Sequence, residues 1–284
     1  MSNLLPDDIS LYLRWLITLG MLLARYLIFA GGAYLIYYVL KRQKWLVAKI
    51  QNHWPESKQI LTEIKYSLLT FFVFASVAVL IRMAINSELL HTKVYRTFSE
   101  HSLGYYITTT IFVILFHDTY FYWMHRLMHH PLFYERIHKV HHLSKDPTPW
   151  AAFAFHPLEA IIEIGFVPIL IFTIPLHFTS LLFLSIWQIV FNVMGHLGFE
   201  TFPARALQHP LLRWLNTSTN HNMHHKYVRC NYGLYFSLWD TLMRTHHAKY
   251  EQTFTEVTTR RDAARNATEQ GEEVANEELN TEMA

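Results

Sequence analysis

Histidine is the residue whose type and spacing could do chemistry in this chain. The stretch from His117 to His142 reads HDTYFYWMHRLMHHPLFYERIHKVHH. Within it, His125 and His129 stand four residues apart, and His138, His141 and His142 form an H-x-x-H-H group. A second such group, His221, His224 and His225, follows about eighty residues on. On a helix, positions i, i+3 and i+4 share a face, so each group can aim its imidazoles at one point. Imidazole ligates iron, zinc, copper and nickel. Eight aimed imidazoles are too many for one four-coordinate zinc and suit two metal ions.

Further histidines are weighed one by one. His196 ends a long apolar segment, where a returning helix could deliver another ligand. His117 lies eight residues before His125, on the same helical face but at an apolar depth, and His156 precedes Pro157; a ligand role stays open for both. His130 points away from His129 and reads as structural. His53, His91, His101, His177 and His209 read as surface or interface residues, and His246 and His247 as solvated. A metal-bound imidazole offers its other nitrogen to an orienting acceptor. Asp118, Glu135, Asp146, Glu159, Glu200 and Asp240 are available for this. Asp118 stands about two turns before His125 and is the candidate for orienting it, unless it caps or pairs with Arg126.

Helices must carry these groups. Residues 11–40 are almost wholly apolar and give one span, since about 20 such residues cross a bilayer. Arg25 inside it must face protein or snorkel. Residues 41–66 form a basic connector, 67–86 a second span and 103–124 a third, which runs into His125. From Leu158 to His196 the chain is apolar again, with Pro175 midway, and reads as a helical hairpin that spans or re-enters the membrane. The chain then returns to the side it left, so the histidine groups can meet. Lys and Arg crowd the 41–66 connector more than loop 87–102, which places the histidine face in the cytoplasm. After Tyr250 the sequence turns acidic and nearly free of aromatics, and reads as disordered or as a frayed helix.

Composition agrees. Hydrophobic residues make up 51% of the 284 and charged residues 16%, against about 25% charged in a soluble domain. Abundant Tyr, Trp and Phe suit the membrane interface. A net charge of +2 gives no footprint for nucleic acid. The one cysteine, Cys230, excludes an internal disulfide and has no partner for a thiolate zinc site. The opening MSNLLPDDIS lacks the basic region and cleavage site of a signal peptide. No G-x-S-x-G, Walker loop or G-x-G-x-x-G occurs, so electrons for any redox step must come from outside the chain. Two histidine-bound irons beside a membrane suit dioxygen activation and attack on an unactivated C–H bond of a lipid.

These residues resemble the fatty acid hydroxylase / sterol desaturase superfamily of membrane di-iron oxygenases. Its pattern of H-x-x-x-H and two H-x-x-H-H groups is carried here by His125–His129, His138–His142 and His221–His225. Within the superfamily the chain looks most like the sterol C5-desaturase (lathosterol oxidase) branch, through HKVHHLSKDPTPWAAFAFHPLE at 138–159, His196 after the hairpin and NYGLYFSLWDTL at 231–242. It departs from that branch at Ala152–Phe153, Asn220 and Arg244. The resemblance implies that His125, His129, His138, His141, His142, His221, His224 and His225 bind two iron ions, with His196 a further candidate. It also implies O2 as co-substrate and electrons from NAD(P)H through a cytochrome b5- or ferredoxin-like carrier.

The expected fold is all-α: an integral-membrane helical bundle with a cytoplasmic helical cap bearing a histidine-rich di-metal site. Residues 1–102 form the N-terminal transmembrane region, 103–250 the catalytic domain and 251–284 the tail. The expected function is O2-dependent hydroxylation or desaturation of a lipid. Two other classes stay open, a histidine-rich metal transporter or sensor and a relative that only binds lipid. A transporter places ligands and acids at mid-membrane, whereas Glu159 and Glu163 lie near a helix end.

Overall fold

The computed structural model describes residues 9–282, with side chains through Gly271. The stretch read for a signal peptide lies almost wholly outside the described residues. Four long helices build the body. Helix α1 (Leu11–Leu40) starts at Ser10, whose hydroxyl accepts from the Leu13 amide at 3.2 Å, and loosens into π-type turns at Leu27–Gly31 and Leu35–Leu40. Helix α2 (Ser57–Asn86) begins ten residues earlier than the apolar run, because the polar residues from Ser57 on continue the same helix over the cap. Helix α3 (Leu103–Met128) carries His125 in its last turn and ends at His129.

The apolar segment after Leu158 is not two equal arms. Its first half is two short helices, α4 (Pro157–Ile164) and α5 (Phe166–Thr173), broken at Gly165. A Cβ there would sit 2.6 Å from the Tyr120 hydroxyl, so glycine is required by close approach. The chain turns at Pro175, where Leu176–His177 pairs in parallel with Val94–Tyr95, and α6 (Phe178–Gly195) runs back to His196. The return that the hairpin requires is therefore made, by one continuous arm and one broken arm.

Helices α1, α2 and α6 are long and apolar enough to cross a membrane. The third span expected at 103–124 is not among them. Helix α3 has the length, but Thr108–Thr110, His117 and Asp118 dilute its apolar character. It packs beside α6 around Val113, Leu184, Phe191 and Tyr235, while Ile107, Ile111 and Leu115 remain exposed. A second core of Tyr26, Phe71, Ala75, Phe153 and Ile189 joins α1 and α2 to the loop after His142. Trp150 pins that loop, its carbonyl accepting from the Tyr26 hydroxyl at 2.7 Å and from Ser67 at 2.9 Å.

The cap adds α7 (Ser218–Tyr227), the short α8 (Leu238–Leu242) and α9 (Tyr250–Glu282). The acidic tail read as disordered or frayed is helical through Glu282. Its first turns bury Phe254, Val257 and Thr258, and the Tyr250 hydroxyl meets Thr217 at 3.2 Å. Composition alone hid this, because three buried side chains at helical spacing anchor a segment whose remainder is polar.

Candidate metal centre

Each histidine is delivered by a local rule. His125 lies in the last turn of α3 and His129 caps it, where His130 and Pro131 stop the helix. His138 closes a π-type turn at Tyr134–His138, and His141 and His142 lie in a tight 3-10 turn. His196 caps α6, and α7 brings His221, His224 and His225. Helix α7 is polar along its length yet buried. Glu200 explains how: its carboxylate accepts from the Thr219 and Phe202 amides, each at 2.9 Å. Thr217 caps the helix by accepting from the Asn220 amide at 3.2 Å.

The nine side chains form two adjoining sets. His125, His129, His138, His142 and His224 make one, His141, His196, His221 and His225 the other; within each set the facing nitrogens lie within 4.8 Å of one another. All nine are buried, His129 least so at 8% exposure. The sets do not follow the sequence groups. Each H-x-x-H-H group sends its first and last histidine to one set and its middle histidine to the other. For His221, His224 and His225 on α7 a helical step of about 100° explains this: residues i and i+4 differ by about 40°, while i+3 lies about 100° from i+4; His138, His141 and His142 divide the same way across a π-type and a 3-10 turn. One motif thus serves two points, and the expectation of one point per group is corrected.

The tautomers are fixed from behind. His196 Nδ1 donates to the Asn192 carbonyl at 2.7 Å and His225 Nδ1 to the Ser144 carbonyl at 2.8 Å. A carbonyl only accepts, so in these neutral rings Nε2 carries a bare lone pair. Yet the two Nε2 atoms lie 3.2 Å apart. In the other set His125 Nδ1 donates to the Tyr232 carbonyl at 2.8 Å and His138 Nδ1 to Glu159 Oε1 at 2.6 Å, with their Nε2 atoms 3.0 Å apart. Lone pairs held face to face repel unless a cation lies among them. The donor sets therefore fit metal ions, with only imidazole nitrogen presented.

Burial also keeps the rings neutral, the form that ligates. It pulls His125 and His196 down to about 4. The other seven are also held well below the usual imidazole range, by burial first and then mostly by neighbouring imidazoles. The Cys230 thiol is pushed up to about 12 by burial and then by Asp240, so it stays a thiol. Its carbonyl is what matters: it accepts from His224 Nδ1 at 2.6 Å. Val228, at φ 68° in the left-handed region, makes the bend that brings this carbonyl back. Gly195 gives His221 room, since a Cβ would lie 3.2 Å from its ring.

Other sequence candidates fall elsewhere. His117 is buried against Phe166, its Nδ1 2.8 Å from the Tyr235 hydroxyl, and belongs to neither set. His156 caps α4 by accepting from the Leu158 amide at 3.3 Å. His177 is fully buried as the cap of α6. Asp118 does not orient His125; it accepts from the Tyr235 amide at 2.8 Å and the Phe236 amide at 3.2 Å, holding the loop that carries Tyr232. Asp240 holds Tyr232 too, through its amide at 2.9 Å. Asp146 pairs with Lys49 at 2.6 Å. Of the six acids, Glu159 alone bonds an imidazole of the sets. The acceptors at Asn192, Ser144, Cys230 and Tyr232 are backbone carbonyls, which carry no side-chain signal in a sequence.

The class defined by this fold and centre is a helical membrane protein with two buried imidazole sets that could hold metal ions. Residues 110–245, which hold all nine histidines, match the fatty acid hydroxylase family. Lathosterol oxidase of Homo sapiens is 31% identical over 220 residues, covering 74% of this chain and 70% of that protein. A Delta(7)-sterol 5(6)-desaturase of Gibberella zeae is 33% identical over 158 residues, 56% of this chain and 47% of its own length. Lathosterol oxidase of Mus musculus is 35% identical over 155 residues, 54% of this chain and 50% of its own length. The chain thus spans about half the length of several of these relatives. No solved structure matches it. The chain belongs to the fatty acid hydroxylase family, on its sterol desaturase branch.

Proposed function

We propose that the chain is a membrane-bound, di-iron, O2-dependent oxidoreductase that hydroxylates or desaturates an unactivated C–H position of a lipid. The observation that carries this reading is the pair of adjoining imidazole sets with Nε2 lone pairs fixed toward one another. His125, His129, His138, His142 and His224 would hold one iron, and His141, His196, His221 and His225 the other. Iron bound there supplies dioxygen activation. The electrons come from NAD(P)H through an external cytochrome b5- or ferredoxin-like carrier. The names of the relatives support a lipid substrate.

The chain's own residues do the rest. Carbonyls of Tyr232, Asn192, Cys230 and Ser144, with Glu159, lock five rings in the ligating tautomer. Burial of all nine excludes water from the centre. Phe155, with its ring 5.3 Å from that of His141, gives the second set an apolar wall toward the α1–α2 core. Residues 103–250 are the proposed catalytic domain, 1–102 the N-terminal membrane region, and the histidine face is assigned to the cytoplasm. A metal transporter or sensor is not favoured, because the histidines cluster in a closed cap at helix ends.

The test is metal content and Mössbauer spectroscopy on protein grown in iron-57 and purified without chelator. About two irons per chain with a coupled signal supports the reading. Zinc or nothing bound after anaerobic iron loading overturns it. His141→Ala should lose metal and turnover while the protein stays in the membrane.

A further inference from the structure

The basic connector between α1 and α2 touches all three segments that carry His141, His196, His221 and His225. The stretch after His196 pairs with it: the Ile50 amide donates to the Gly198 carbonyl at 3.1 Å, and the Glu200 amide donates to the Ala48 carbonyl at 2.9 Å. The loop after His142 meets it next. Lys49 Nζ lies 2.6 Å from Asp146 Oδ2, and Gln51 Nε2 donates to the Lys145 carbonyl at 2.8 Å. Helix α7 closes the arrangement. Asn222 Nδ2 donates to Asp146 Oδ1 at 3.1 Å, and Asn222 Oδ1 accepts from Gln51 Nε2 at 2.9 Å.

These groups are withdrawn from water. Lys49 is 2% exposed, and Asp146 and Asn222 are fully buried. Replacing a buried ion pair by apolar residues of similar volume is often neutral for stability, so stability alone does not account for this one. Its geometry does. Asp146 turns one oxygen to Lys49 and the other to Asn222, so the cation fixes the carboxylate and the carboxylate fixes α7. On that helix Asn222 stands about 60° from His225 and about 100° from His221, but about 160° from His224. The hold therefore acts on the flank of α7 that serves the second set. The same loop reaches the same ring directly, since the Ser144 carbonyl accepts from His225 Nδ1 at 2.8 Å.

We infer that Lys49 and Asp146 are positioning residues for the set of His141, His196, His221 and His225, with Asp146 acting through Asn222. They fix where three separate segments stand relative to one another, and so where four Nε2 atoms converge. His125 and His129 of the first set come from α3, outside this clamp. The inference rests on the two-metal reading for its consequence and assigns the connector a part in the centre.

The test uses the full chain in lipid nanodiscs, with ferrous ion titrated anaerobically against a chelator series. The informative variant is Lys49→Met with Asp146→Leu, which removes both charges together and takes away the acceptor for Asn222. One binding step should weaken by about tenfold, the lower end of what an orienting partner contributes, and the other by less than about threefold. The displaced step should be the one that Glu159→Ala leaves in place. Lys49→Met with Asp146→Asn keeps an oxygen for Asn222 and should return that step to its unaltered position. Equal displacement of both steps, displacement of neither, or an Asn variant as weak as the Leu variant overturns the inference.

Hydrogen exchange on metal-free protein reads the clamp without iron. The amides of α7 should exchange at least about tenfold faster in the Leu variant, because a local hold is lost, while those of residues 71–75 in α2 keep their rate. Unchanged exchange in α7 overturns the inference as well. Should the Leu variant lose helicity, Asn222→Ser, which leaves the ion pair in place, decides by the same two readouts. An unaltered protein that binds no ferrous ion refutes the two-metal reading, and the exchange result then decides the clamp alone.

Discussion

Replacing Glu159 by alanine should weaken one metal-binding step and spare the other. Glu159 Oε1 lies 2.6 Å from His138 Nδ1, with the acid 1% and the histidine 1% exposed. Without the carboxylate, His138 has two choices. It can keep its proton on Nδ1, buried without an acceptor, at a cost of about 1–3 kcal/mol. Otherwise it moves the proton to Nε2 and withdraws its lone pair from the set. Loss of such an orienting partner lowers metal affinity by about 10–100-fold, which is about 1.4–2.7 kcal/mol. Only the set of His125, His129, His138, His142 and His224 contains His138, so the His141, His196, His221 and His225 set is an internal control. The assay is a competitive metal titration against a chelator series, on protein in nanodiscs with helicity monitored. The expected trace has one binding step displaced and one unchanged. Two unchanged steps would refute the claim that Glu159 fixes the tautomer, and two equally displaced steps at intact helicity would refute the division into separate sets.

Other perturbations probe the remaining supports. Gly195→Val should push the His221 ring, 3.2 Å from the added Cβ position, and reduce metal bound per chain in the set that holds His221, as read by metal analysis. Phe254→Ala should cost about 3–5 kcal/mol, because the ring is fully buried against Tyr250 and Met223; a lower Tm accompanied by metal loss would show that α9 steadies α7, and a Tm like that of the unaltered protein would sink the idea. In metal-stripped protein, stability should fall as pH drops from about 6.5 to about 4. The folded state holds His125 and His196 near 4, while the unfolded chain takes up protons from about 6.5 downward. The unfolded state therefore binds more protons in that window and gains there, by roughly 1.4 kcal/mol per pH unit for each group. Denaturant midpoints measured between pH 4 and 7 that do not move would contradict burial of neutral rings.

The sequence carried the chemistry of the centre further than its geometry. The nine histidines that the structure gathers into two sets are the nine that spacing and resemblance singled out, because a cluster of one side-chain type is legible in side-chain identity. What turns those rings is mostly backbone. Nothing in the identities of Ser144, Asn192, Cys230 or Tyr232 announces that their carbonyls fix a tautomer, and nothing but a fold could place them. Asp118 shows the converse error: helical spacing put it on the face of His125, but amides from a loop more than a hundred residues away claimed its carboxylate. Helix α3 has the length of a span, but its interior polar residues, which serve packing against α6 and the loop after α7, keep it out of the strongly apolar helices.

The division of each H-x-x-H-H group between two sets was, by contrast, available from helical geometry. A residue at i+3 and its neighbour at i+4 cannot point to one spot, because a single step turns the helix by about 100°. An H-x-x-H-H group on regular helix therefore addresses two points, with its outer pair toward one and its middle histidine toward the other. Two such groups crossing each other close both points at once, each lending its odd histidine to the set anchored by the other. His142 and His224 meet in one set, and His141 and His225 in the other. It follows that moving one histidine along either motif, for example by inserting an alanine after His221, should disturb both sets together, whereas single substitutions at His138 or His221 should disturb one.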